Sequence, residues 1–408
     1  MKKRLLLTMI FGSLLIWQAS AMAGEMDMLV DKLVEKGVLN KKDGDLILSV
    51  QKVEKEKANK DILSSLALPE FIKNTQFKGD FRLRYEYSDR ENGDEDRNRG
   101  RYRFRLGMLT KVNEKVNVGF GLASGPADPR STNQTFTNSF ETPDIRLDYA
   151  YASYKPFEWL RLVGGQFENP LWMPSGWMWD SDIRPQGVSA SLNRKVGDVE
   201  LFVNNGFWII DEISSSDDDP MMVVLQPGYK INLGENAYFK NAFAYYNFID
   251  VKGNTLDYSA KTNTLNPDKT LAYDYEPVVV SGELGFKTNI APMPYAALYG
   301  EYVKNTASSV SEDTGYTAGV KFGHEKIKEP RQWQVSAYYE KLEQDAWLDT
   351  FPDSDAYGGS TNTKGYVVKA GYGLMKNVEF NTAYYRTKKI SGPSNDENLF
   401  QADLLFRF

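Results

Sequence analysis

The chain has 408 residues, of which 25% are charged and 13% aromatic, with a formal net charge of −6, one histidine and no cysteine. The lack of cysteine excludes disulfides and thiolate metal sites, and the negative balance speaks against nucleic-acid binding by bulk charge. Past the first residues no run approaches the ~18 apolar residues of a membrane helix, so a membrane crossing would have to be made by strands, which hydropathy scans overlook.

The opening MKKRLLLTMIFGSLLIWQASAMAG has the order of an export signal: Lys2, Lys3 and Arg4, an apolar stretch from Leu5 to Trp17, then a small-residue cleavage site at Ala21-Met22-Ala23. Residues 1–23 are therefore expected to be a signal peptide. Residues 24–74 are expected to be a periplasmic helical extension and linker. Leu29, Leu33 and Val34 share a helical face and Gly37 breaks the run. Asn40 or Asp43 can start a second helix carrying Leu46, Ile47, Val50 and Val53. A pore plug, a cell-wall contact, an assembly element and a plain spacer all fit this segment.

From Thr75 the period becomes two. In QFKGDFRLRYEYS, Phe77, Phe81, Leu83, Tyr85 and Tyr87 take one face, and Lys78, Asp80, Arg82, Arg84 and Glu86 the other. Only a strand sorts charge at 180° per residue. The next segment puts Tyr102, Phe104, Leu106 and Met108 outward, and Arg101, Arg103 and Arg105 inward. Strands are expected near 76–88, 100–112, 115–125, 144–155, 158–168, 184–194, 198–210, 221–232, 237–249, 275–288, 294–304, 313–323, 331–343, 363–373, 377–388 and 398–408. Connections alternate short and long, as in an outer-membrane barrel with both ends on the periplasmic side. The last strand, LFQADLLFRF, alternates up to Phe408 and must pair with the first, because an open edge in lipid leaves backbone groups unpaired. The expected fold is all-β: a transmembrane antiparallel β-barrel over 75–408, of about sixteen strands within a range of roughly 14–18, following the short helical extension. Charge on the inner face requires a wet lumen or complete pairing.

Candidate pore-lining residues are Lys78, Asp80, Arg82, Arg84, Glu86, Arg101, Arg103, Arg105, Arg146 and Arg161. The arginines can draw anions or solute carboxylates, or can pair with Asp80, Glu86, Asp144 and Asp148. Loop 169–183, NPLWMPSGWMWDSDI, carries Trp172, Trp177 and Trp179, which do not suit a loop facing water. It can fold into the channel, bringing Asp180, Asp182 and Arg184 to the pore mouth. It can instead pack at the rim or on a neighbouring subunit, or stack carbohydrate. The segment 252–274 reads as a polar surface loop. No hydrolase or metal motif is present, and His324 lies in a predicted short turn beside Glu325, so neither an enzyme nor a bound cofactor is expected.

The opening LVEKGVLNKKDGDLI, the strand DYAYASYKP and the segment GQFENPLWMPSGWMWDSDIRPQGVSASL resemble the putative-porin family of Gram-negative outer membranes. Within the last, WDSDIRPQGV is similar to that family's Trp-Asp-x-Asp-x-x-x-x-Gly-Val pattern. The resemblance implies a channel for passive diffusion of small hydrophilic solutes, and the clustered arginines add an anion preference as a further expectation. A structural or surface-recognition barrel with an occluded lumen is the alternative. It also implies an outer-membrane location, contact with lipid and lipopolysaccharide, and handling by the barrel assembly machinery, with Phe408 as the assembly signal. By analogy with general porins, a homotrimer is a further expectation.

Overall fold

A computed structural model describes residues 69–90, 96–215, 217–393 and 396–408, together with 30, 32–34, 36, 40, 43 and 46–50. The expected signal peptide, residues 1–23, lies outside the described residues. The chain divides into two compact units, Met1–Lys73 and Asn74–Phe408.

In the first unit, residues 30, 32–34, 43 and 46–50 are helical, and Glu70–Lys73 adds one helical turn. Asn40 caps the second helical segment: its Oδ1 accepts the Asp43 amide at 2.8 Å, and its Nδ2 donates to the Asp43 carboxylate at 2.6 Å. A side-chain oxygen answering an amide three residues on satisfies a donor that the first helical turn leaves open.

The second unit is built from strands β1 (Thr75–Arg90), β2 (Arg97–Lys111), β3 (Val116–Ala123), β4 (Gln134–Thr135), β5 (Arg146–Phe157), β6 (Leu160–Gln166), β7 (Gln186–Val196), β8 (Val199–Ile209), β9 (Met221–Asn232), β10 (Ala237–Ile249), β11 (Pro277–Lys287), β12 (Tyr295–Asn305), β13 (Thr314–Gly323), β14 (Trp333–Leu342), β15 (Thr363–Met375), β16 (Val378–Lys389) and β17 (Glu397–Arg407). Each pairs antiparallel with the next, except that β3 pairs with β5 and the two-residue β4 is added beside β2. β17 returns to β1, with Phe81 opposite Phe406 and Tyr87 opposite Phe400. Sixteen staves thus close into a barrel with no free edge, which lets every strand satisfy its backbone within lipid.

The alternation of the sequence becomes the two faces of this wall. Phe77, Leu83, Tyr85, Phe243, Val280 and Tyr366 are exposed on the outside, whereas Arg84, Glu86, Gln226, Glu301 and Glu340 are buried within. Connections at one end are short, such as the two residues between Val196 and Val199 or between Met375 and Val378. Gly197 (φ +59°) and Asn377 (φ +63°) take the left-handed conformation that these tight reversals need. The long connections, from β3 to β5, β6 to β7, β8 to β9, β10 to β11 and β14 to β15, all lie at the other end.

The interior is not bare. Trp177, Met178 and Trp179, from the β6–β7 loop, pack with Trp347, Leu348 and Phe351, from the β14–β15 loop. Both groups rest on the inward side chains Trp208, Met222, Val224, Tyr246 and Phe248 of β8 to β10. The reading of 252–274 as a surface loop is corrected in part: Leu256, Asn263 and Leu271 are buried. Its polar residues serve as internal donors. The Thr262 and Asn263 amides donate to Asp349 at 2.6 and 3.1 Å, and the Thr264 amide donates to Asp345 at 2.8 Å. Threonine and asparagine therefore suit an inward-folded loop as well as an exposed one.

Candidate pore interior

The inner faces of β1 and β2 place arginines opposite arginines: Arg82 is level with Arg103, and Arg84 with Arg101. Like charges directly opposite on paired strands repel, and interleaved carboxylates answer them. Asp80 accepts Nε of Arg103 at 2.9 Å and Nε of Arg105 at 2.8 Å. Glu86 accepts Nη1 of Arg101 at 3.2 Å and also binds Arg99. Across the closing seam Arg84 holds Asp403 through two bonds, 2.7 and 2.8 Å long. Arg82 lies 3.5 Å from the same carboxylate and donates to Asn133. The side chains of Arg84 and Glu86 are 6% and 1% exposed, so this is a paired wall rather than a row of free cations.

The other candidates are spread out. Lys78 meets Glu168 at 3.4 Å, with both side chains largely exposed. Arg146 donates to the Gly125 carbonyl at 3.1 Å and lies 3.8 Å from Asp144. Arg161 lies 5.9 Å above the Tyr151 ring. A register irregularity where β3 faces β5 breaks the alternation, and both Asp148 and Tyr149 are buried.

Loop 169–183 crosses inside the barrel. The Trp172 amide donates to Gln226 of β9 at 2.8 Å, and the Gln226 amide returns a bond to the Trp172 carbonyl at 2.9 Å. Further along, Ser175 donates to Glu301 of β12 at 2.5 Å, and Lys321 of β13 donates to the Pro174 carbonyl at 2.9 Å. Trp177 and Trp179 are 3% and 4% exposed, and Trp179 stacks on Phe351 with centroids 4.7 Å apart. Trp172 sits edge-on to Phe202, with the Lys240 ammonium 4.3 Å from its ring.

The end of this loop carries the charge. Asp182 accepts the Thr132 amide at 3.1 Å and faces Nη1 of Arg105 at 3.4 Å. Burial alone would raise its carboxyl, but Arg103 and Arg105 outweigh burial and hold it below the usual range. Asp180 lies beyond the arginines. It accepts the Ser354 amide at 2.9 Å, and burial together with Asp353 and Asp182 pushes its carboxyl up. Asp353 is likewise raised, chiefly by burial. Arg184 pairs with Asp148 at 3.3 Å.

These groups border two cavities. One, of 740 Å³, is lined by Arg82, Arg84 and Arg103 together with Asp180, Asp353 and Asp355, the last 3.4 Å from Arg84, and extends to residues 325–329 at the short-turn end. The second, of 390 Å³, lies on the long-loop side and includes Arg146, Asp148 and Arg184. Asp182 lines both. The loop's acidic end therefore lies where the two cavities meet.

A family model described as "Putative porin" matches residues 86–277 and 264–408, most of the chain. The chain belongs to the Putative porin family. It is thus a transport barrel of the Gram-negative outer membrane rather than an enzyme. OprB of Pseudomonas putida, solved at high pH, shares 11% identity over 83% of this porin and 95% of its own chain, with a TM-score of 0.55, which shows a common fold. A triple mutant of the Rhodopseudomonas blastica porin aligns at 11% identity over 82% of this porin and all of its own chain, with a TM-score of 0.47. A loop-deletion mutant of OmpT, an outer-membrane protein of Vibrio cholerae, aligns at 10% identity, 82% and 100% coverage, and a TM-score of 0.45. No curated protein matches the chain in sequence.

Residue patterns named Asp80 and Glu86 as partners of the arginine wall but missed Asp403 and Asp355. Asp403 could have been found, because closing the barrel sets β17 against β1. The β14–β15 loop carries Trp347, Leu348 and Phe351 between aspartates, the same mismatch with water that singles out loop 169–183.

Proposed function

We propose that this porin is a water-filled channel through which small hydrophilic solutes diffuse passively, constricted by loop 169–183. The observation that carries the reading is Asp182, which stands between the two cavities with Arg103 and Arg105 on one side and the Thr132 amide on the other. A polar septum lined with opposite charges orients solute dipoles and lets ions pass while stripping little of their water. Pairing of Arg84, Arg101, Arg103 and Arg105 with carboxylates supports a field across the channel rather than an excess of positive charge along it. Purified, folded protein in planar bilayers is expected to give discrete conductance steps. Folded protein that gives none overturns this reading.

The loop core, with Trp177, Trp179, Trp347 and Phe351 packed across the barrel, favours a second reading, a barrel closed at rest. Channels that open only after loop 169–183 is shortened would support it.

A further inference from the structure

Away from the arginine wall, a charged row crosses four strands at one height near the short turns. The register sets Lys195 of β7 against Glu200 of β8, Glu200 against Lys230 of β9, and Lys230 against Lys240 of β10. Lys230 and Lys240 thus form a like-charge pair on directly opposed positions, which destabilises a sheet unless something negative lies between them. The β1–β2 wall holds the same arrangement and supplies Asp80, Glu86 and Asp403 to neutralise it. Here the neighbouring carboxylates, Glu200 opposite Lys230 and Glu283 opposite Lys240, form no ion pair with either lysine. Among the described residues, Arg161, Lys195, Lys230 and Lys240 have no carboxylate oxygen within the 4.0 Å of an ion pair. Glu283, level with Lys240 on β11, is already held by the Tyr238 hydroxyl at 2.7 Å and Lys321 at 3.5 Å.

The two ammonium groups rest instead on aromatic faces. Lys230 lies 4.3 Å from the Tyr238 ring, and Lys240 lies 4.3 Å from Trp172 and 5.1 Å from Phe202. Such contacts position a cation while leaving its charge uncancelled. All four cations border one cavity of 570 Å³, which Arg194 also lines, with Ser191, Asn193 and Asn204 as further polar groups and Glu200 as the single carboxylate.

We propose that this cavity is a binding subsite for small oxyanions carrying two or more negative charges, with Lys230 and Lys240 holding one charged group and Lys195 and Arg161 the next. Two adjacent ammonium groups favour an ion that bridges them over a monovalent one, which can neutralise only half the pair. The subsite deepens the channel reading, since it places anion attraction on β6–β10 rather than on the arginine wall.

Binding and conduction are measured separately. The full chain in detergent, its folding verified by heat-modifiable migration, is titrated calorimetrically at low salt with citrate and with pyrophosphate. The expected result is binding that weakens at least tenfold in the K230Q/K240Q double variant and falls with added KCl. An adventitious surface charge is controlled by K155Q, which is expected to bind as the parent does. Citrate alone binding assigns a carboxylate site, pyrophosphate alone a phosphate site, and both a general oxyanion site. Absence of binding by both probes, or equal binding in the double variant, overturns the subsite. Binding without conductance steps removes the channel reading and leaves the subsite standing. In conducting channels, the same anion is expected to block the parent's current and to spare that of the double variant.

Discussion

Phe408 and Gly79 exchange both backbone hydrogen bonds: the Phe408 amide donates to the Gly79 carbonyl at 3.0 Å, and the Gly79 amide to the Phe408 carbonyl at 2.7 Å. The Phe408 ring covers Gly79 and reaches Phe104 of β2, with centroids 6.3 Å apart. One residue thus laps the closing seam across three staves. A side chain at position 79 would meet that ring and sit 2.8 Å from the Arg105 carbonyl. Gly79→Val is expected to cost about 1–3 kcal/mol, as overpacking does, and to lower the folded fraction in heat-modifiable gels. Deleting Phe408 should lower it too, by removing the seam contacts, while leaving the ion pairs of the arginine wall in place. Unchanged folding of both variants would deny the seam a role in closure.

Arg84 and Asp403 are register partners on β1 and β17 and form the most buried ion pair at the same seam. Removing one member strands a buried charge. Arg84→Ala is expected to lose about 3 kcal/mol, at the low end for a broken buried pair, because Arg82 lies 3.5 Å from the remaining carboxylate. Replacing both by leucine should restore most of the loss. Urea unfolding of the vesicle-embedded barrel measures both variants, and equal losses in the single and double variants would contradict the pairing argument.

The barrel was legible because its signal is local: alternation along each strand, turn residues between strands, and a closing strand whose polar face carries Gln401 and Asp403. The arginine wall was legible for the same reason, since Arg82, Arg84, Arg101, Arg103 and Arg105 all follow the strand period. Partners brought in by long loops were not. Asp355 reaches Arg84 at 3.4 Å from 271 residues away, and Thr132 reaches Asp182 across 50. No periodic pattern encodes such contacts. At Asp148 and Tyr149 the irregular register defeats the period itself.

Trp179 and Phe351 lie nearly parallel, 5° apart, and tie the two inward loops together. Trp179→Ala is expected to cost about 3 kcal/mol of loop packing and to increase single-channel conductance, because the septum loses its apolar anchor. Phe351→Ala should act in the same direction, and the double variant should add little to either, as for residues in one contact. A conductance unchanged in all three would place the constriction elsewhere.

The septum should also respond to pH through Asp180, whose carboxyl is pushed up to about 8 by burial, Asp353 and Asp182. With its loop seated it binds a proton that the released, solvated carboxyl gives up near 3.8, so seating weakens as pH rises from that value through about 8 and changes little above it. Asp182 works the other way. Its carboxyl is held low by Arg103 and Arg105 against the effect of burial, so its contribution is present above 3.8 and is lost only as acid protonates it. Between the two, loop 169–183 is expected to sit most firmly near pH 4 and to loosen progressively as pH rises from there to about 8, seen as larger or noisier conductance steps across that range with little further change above it. Asp180→Asn removes the loosening between about pH 4 and 8 and keeps the acid one; a loosening across that range that persists in the variant would assign it to another group.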